Sequence, residues 1–121
     1  MSEFKEITSL NEVDEILDES CQRKILIFKH STTCPISGHA WHEAQNFIRE
    51  SSDKCLVVMI KVIESRPVSN LVAEKLGVVH QSPQAILIYN QQVLWKASHY
   101  DITQDNIEKA LKGETSSFNL I

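Results

Sequence analysis

Cysteine is scarce in this 121-residue chain and odd in number, with three in all, so no closed framework of disulfides accounts for every one. Long apolar runs are absent too. The longest aliphatic or methionine stretch, Leu56 to Ile60, falls far short of a membrane span. The first six residues, Met1 to Glu6, lack the apolar centre of a signal peptide. Positive charge is in deficit. A net charge of −4, with no basic run and no aromatic-basic interleaving, speaks against a nucleic-acid partner and against a membrane surface. There is no repeat, linker or low-complexity segment. What remains is one soluble domain over residues 1–121, expected in the cytosol, where reducing conditions leave each thiol catalytic or inert.

The chain then reads as alternating strands and helices. Phe4 to Ile7 is a short edge strand. A helix follows, with Ser9 and Glu12 as a capping box, Leu10, Val13, Ile16 and Leu17 on one face, and Asp14, Glu15, Asp18 and Glu19 toward water. Lys24 to His30 holds four consecutive apolar residues, as a strand covered on both faces does. Pro35 opens a helix to about Glu50, buried through Ile36, Ala40, Ala44, Phe47 and Ile48. Gly38 within it implies close packing or a bend. After a break at Ser51-Ser52-Asp53 comes a strand from Cys55 to Val62, parallel to the previous one by the crossover rule. Pro67 starts a third helix that Gly77 ends. Ala85 to Tyr89 and Gln92 to Ala97 form a hairpin about Asn90-Gln91. The last helix begins at Thr103, with Ile102 and Ile107 as a hydrophobic staple, and stops at Gly113, leaving a loose tail.

The chemistry centres on Cys34. It stands where a strand turns into a helix, and helix N-terminal N–H groups favour a thiolate over a thiol. The plain alternative, an inert buried cysteine, suits that position poorly. Cys21 precedes the Lys24 strand and Cys55 opens the next, so both belong at the opposite pole. A helix of about 16 residues, roughly 24 Å long, separates Cys34 from Cys55, too far for a disulfide. Packed or half-exposed inert thiols describe both. Ser82-Pro83 precedes a late strand, and if that strand is antiparallel to the one before Cys34, the two features share a pole. Ser37 stands three residues after Cys34, where its hydroxyl is placed to bond the thiolate. With no second cysteine there, a mixed disulfide on Cys34 must be released by an external thiol. His39 and His42 are half of a metal site at most, and surface histidines describe them better; no metal is expected. His30 and His80 are either neighbours of the thiolate or loop residues. Trp41 and Trp95 are core or rim.

This order of elements, with Cys34-Pro35-Ile36-Ser37 and Ser82-Pro83, resembles the thioredoxin fold, an α/β fold with a mixed central sheet and helices on both faces. The resemblance implies that Pro83 is a cis-proline facing Cys34, and that Ser82 lends its backbone to the incoming thiol's peptide-like portion. Phe28-Lys29-His30-Ser31, Thr33 to Ser37 and His80-Gln81-Ser82-Pro83-Gln84 together resemble the monothiol bacilliredoxins over nearly the full length. That resemblance implies an enzyme, a thiol-disulfide oxidoreductase whose Cys34 takes bacillithiol from S-bacillithiolated proteins. Bacillithiol is then a co-substrate, with no resident cofactor. Pro35, Ser82, Pro83, His80, Arg66 and His30 are the expected substrate-binding residues, with Lys29, Lys61 and Gln81 at the same pole. Arg66 and His80 are favoured for the two carboxylates of bacillithiol's malate end. Three other readings remain. A peroxidase lacks its motif proline, because Ile27 stands there. An iron–sulfur carrier of monothiol glutaredoxin type would have glycine where Pro35 stands. A non-catalytic adaptor would keep its partners after Cys34→Ala.

Overall fold

The computed structural model describes residues 3–51 and 55–113. Five strands, β1 (Glu3–Glu6), β2 (Ile25–His30), β3 (Leu56–Lys61), β4 (Gln84–Tyr89) and β5 (Gln92–Ser98), alternate with four helices, α1 (Leu10–Glu19), α2 (Pro35–Glu50), α3 (Arg66–Leu76) and α4 (Gln104–Leu111). The sheet runs β1-β3-β2-β4-β5, with β1, β3 and β2 parallel and β4 and β5 antiparallel to their neighbours. β2 sits at the centre, every residue buried, as its unbroken apolar run requires.

Alternation along β2 divides the core between the two faces. Ile25 and Ile27 pack with Val13 and Ile16 of α1 and with Val68 and Val72 of α3, while Leu26 and Phe28 pack with Ala40, Ala44 and Phe47 of α2 and Ile107 of α4. Truncating a fully buried ring such as Phe47 to alanine removes about 3–5 kcal/mol. Leu10, expected inward, is half exposed because it opens α1 beyond the edge of this layer.

Local chemistry sets the boundaries. Ser9 and Glu12 form the capping box, with Glu12 accepting from the Thr8 and Ser9 N–H groups, contacts that also lower its pKa. Thr103 caps α4 by accepting from Asn106 N–H at 3.1 Å, and Ile102 and Ile107 are both buried. Gly77 ends α3 in the left-handed region, φ 65°. Asn90 and Gln91 both take positive φ, 54° and 62°, in the two-residue hairpin. Their N–H groups are satisfied by Ser20, the first by its carbonyl at 2.7 Å and the second by its hydroxyl at 2.9 Å. That tertiary support lets a weak turn dipeptide serve. Gly38 departs from expectation: α2 runs unbroken through it, and a Cβ there would meet nothing within 4 Å. Of the expected break after α2, Ser52 and Asp53 lie outside the described residues, as does the tail from Glu114.

Candidate active site

β2 ends at His30, a short loop follows, and Cys34 is the N-cap of α2, with Pro35 in the first helical position where its missing N–H is not needed. Cys34 N–H donates to the Ser31 carbonyl at 3.3 Å, and its own carbonyl accepts from Gly38 N–H at 3.0 Å. The thiol is half-buried, and among the described residues it makes no side-chain capping bond to α2. The sulfur is carried by the N-cap residue of α2, and helix N-termini are sites where negative charge is favoured.

Ser37 does something other than expected. It is fully buried at the third position of α2, and its Oγ lies 2.7 Å from His30 Nδ1 and accepts from Ser31 N–H at 2.9 Å. The hydroxyl therefore ties the loop before Cys34 to the end of β2, and among the described contacts it makes none to Cys34. Burial holds His30 below its ordinary 6.5, with Lys61 lowering it further and Glu64 raising it by less, so the ring is neutral at pH 7. It lies against Phe28 and Trp41, with ring centroids at 5.8 and 6.0 Å, in an aromatic row that continues from Trp41 to Phe4 at 5.4 Å. Thr32 Oγ1 donates to Glu64 at 3.4 Å, joining the same loop to the turn after β3.

The second half of the pole comes from β4. β2 and β4 are antiparallel, with Lys29 opposite Gln84, so Pro83 falls beside His30 at the carboxyl end of β2. The Ser82–Pro83 bond is cis. Gln84 braces the preceding loop, donating from Nε2 to the Val79 carbonyl at 3.2 Å and accepting from Gln81 N–H at 3.4 Å. The Pro83 carbonyl accepts from His99 N–H at 3.1 Å, which connects the loop to a 3-10 turn (His99–Asp101) unanticipated from sequence. Ser82 Oγ is buried, with no hydrogen-bond partner among the described residues.

The chain belongs to the monothiol bacilliredoxin family. The family model described as "Monothiol bacilliredoxin BrxC" matches residues 5–107. Among solved structures, a thioredoxin-fold protein assigned as a candidate oxidoreductase shares 28% identity over 88% of this chain and 92% of that one, with a TM-score of 0.79. Mitochondrial thioredoxin 3 from Saccharomyces cerevisiae, in its oxidized form, shares 20% over 90% and 93%, TM-score 0.68. Schistosoma mansoni thioredoxin shares 14% over 91% and 94%, TM-score 0.70. The last two establish the fold alone, and the family adds that this is a thioredoxin-fold oxidoreductase.

His30, Pro35, Ser37, Ser82 and Pro83 gather at the carboxyl end of β2, and Arg66 opens α3, exposed, where its charge reaches His80. Cys21 and Cys55 lie at the other end, before β2 and β3, one exposed and one buried. His39 and His42 are exposed, His39 against Tyr100 with ring centroids 6.1 Å apart. No set of three or more metal-ligating side chains occurs among the described residues, nor is any described helix long and apolar enough to cross a membrane.

Two features went unread in the sequence. One is the Ser37–His30 bond, whose signal was a serine three residues into a helix that begins within seven residues of a strand-end histidine. The other is Lys29. By charge alone the sequence gives no sign that it differs from the other cations at the pole, but it is fully buried, and its Nζ lies 3.2 Å from His80 Nδ1. The signal was a lysine within an otherwise apolar central strand.

Proposed function

We propose that this protein removes bacillithiol from S-bacillithiolated proteins through a mixed disulfide on Cys34. The observation that carries the reading is a lone thiol at the mouth of α2, in a bacilliredoxin-family chain whose resolving position holds a serine already bonded to His30 and Ser31. The Cys34 thiolate attacks the bacillithiol sulfur of the mixed disulfide. The Cys34–bacillithiol S–S bond forms, the target's S–S bond breaks, and the target leaves as a thiolate that takes a proton from water. Electrons balance because one disulfide replaces another. Ser37 cannot expel the captured thiol, so a second, external thiol attacks it, leaving as a disulfide with bacillithiol and returning Cys34 as thiolate. Bacillithiol is thus co-substrate, and S-bacillithiolated proteins are the partners.

Arg66 and His80 are the residues we assign to bacillithiol's carboxylates, with Pro35, Ser82 and Pro83 shaping the wall against which its thiol-bearing portion lies. An arginine–carboxylate contact at a partly exposed site contributes about 1–3 kcal/mol, a preference of roughly five- to hundredfold over a thiol lacking that group. Stopped-flow exchange on one peptide carrying either bacillithiol or 2-mercaptoethanol, which has no carboxylate, tests this. The bacillithiol form should react faster by that margin, and equal rates would leave only generic monothiol exchange.

A further inference from the structure

Lys29 points to the α1 and α3 side of the sheet, where alternation with Phe28 and His30 puts it, and its ammonium has one partner among the described residues, the ring of His80. An ammonium only donates, so His80 Nδ1 must accept, which leaves the ring's proton on Nε2. His80 itself is exposed. Arg66, also exposed, forms no ion pair or hydrogen bond among the described residues, yet its charge is felt at His80. Among the described residues neither Lys29 nor Arg66 is ion-paired, in a chain whose net charge is −4. Of the other groups packed nearby, Gln84 on β4 is neutral, Lys61 is paired with Glu6, Glu64 acts on His30 and bonds Thr32, and Lys96 and Asp101 line the groove on the other side of the loop with Gln81 and Gln84. None of them answers Lys29 or Arg66.

We infer that Lys29, His80 and Arg66 form a carboxylate-binding subsite beside Pro83, in which buried Lys29 is a positioning residue that holds His80 as an outward Nε2–H donor. The inference rests on the proposed function for the source of the carboxylate, the small-thiol half of the mixed disulfide. A hydrogen bond from a neutral ring backed by a buried cation is charge-assisted without leaving a second charge exposed to solvent. Burial brings Lys29 down to about 8, and His80 is lowered by burial, then by Lys29 and Arg66, so near pH 7 the pair is ammonium and neutral ring. Above about pH 8 the ammonium loses its proton, and with it the tautomer lock and the charge.

The test uses the full chain, native and as Lys29→Met, with Arg66→Gln as a second variant at an exposed position where folding is not at risk. Imidazole nitrogen shifts of His80 are followed against pH, and L-malate is titrated as the probe. In the native protein His80 should show a protonated Nε2, an inflection near pH 8 from Lys29, and a response to malate that fades above that inflection. Lys29→Met should remove the inflection, move the ring's own titration toward 6.5 and weaken malate about tenfold or more, and Arg66→Gln should weaken it severalfold. A His80 ring unaffected by malate, or a malate affinity and His80 titration unchanged in Lys29→Met, overturns the inference. On an uncharged peptide, the ratio of exchange rates for bacillithiol over 2-mercaptoethanol as the carried thiol should fall in both variants. An unchanged ratio overturns the link to the small thiol. A Lys29-dependent malate site in a native protein with no preference for bacillithiol would support the subsite and refute the proposed function instead.

Discussion

Replacing Lys29 with methionine should make the protein more stable. The lysine is fully buried in the central strand, and burial lowers its pKa from 10.5 to about 8. At about 1.36 kcal/mol per unit, keeping it charged in the folded state costs about 3 kcal/mol, a large part of the 5–15 kcal/mol by which domains are usually stable. Methionine has similar length and no charge, so Lys29→Met should gain about 1–3 kcal/mol at pH 7, the lower end reflecting the lost contact to His80. The pH dependence separates this cause from better packing. Below about pH 8 both folded and unfolded chains hold the proton and the penalty is complete. Between 8 and 10.5 only the unfolded chain holds it, so native stability rises with pH, and above 10.5 the penalty is gone. Urea unfolding of both proteins at pH 7 and pH 10 measures it, as a difference in midpoint at constant slope. A variant no more stable than native at pH 7, or a gain that does not shrink by pH 10, would refute the reasoning. A chain that keeps so costly a lysine where methionine would serve is using the charge, which is the stability–function trade expected at a binding site.

Ser37→Cys should let Cys34 release a captured thiol without outside help, because positions one helical turn apart lie within disulfide reach; a mixed disulfide as long-lived as the native one, by mass spectrometry, would contradict it. Ser37→Ala should lower stability by about 1–3 kcal/mol in a urea titration, since Ser31 N–H loses its acceptor and His30 its partner. Gly38→Ala should stabilise by about 1 kcal/mol, as the added methyl meets nothing and the helix gains propensity, and a lower thermal midpoint would count against this. With His30 held below 6.5 by burial, the folded chain resists a proton that the unfolded chain takes. Stability should therefore fall as pH drops from 6.5 through the folded value, and His30→Asn should flatten that part of the urea-midpoint profile.

Wherever apolar periodicity and capping chemistry spoke with one voice, the sequence was enough. α2 begins at Pro35 and ends at Glu50 as its proline and buried stripe required, and the capping box, Gly77 and the Ile102–Ile107 staple each lie where expected. The position of Cys34 at a helix mouth followed from the same signals. Side-chain partnerships were less legible because they depend on register across strands, which a single strand does not encode. Whether Ser37 turned to the sulfur or to His30 depended on how α2 sits over the end of β2, a tertiary contact. Lys29 could be assigned to the correct pole, but its burial and its contact to His80, 51 residues away in sequence, are tertiary. Gly38 misled for a different reason. Propensity says that a helical glycine needs cause, and the space around it shows no neighbour that requires one.

The most direct test of the central claim is intact-protein and peptide mass spectrometry after the reduced chain meets one equivalent of an S-bacillithiolated peptide with no external thiol present. The account predicts that bacillithiol's mass appears on Cys34 alone, that free peptide thiol appears in equal amount, that the adduct persists until thiol is added, and that Cys34→Ala gains nothing. Adduct on Cys21 or Cys55 instead, or peptide left bound to Cys34 while bacillithiol is released, would contradict it.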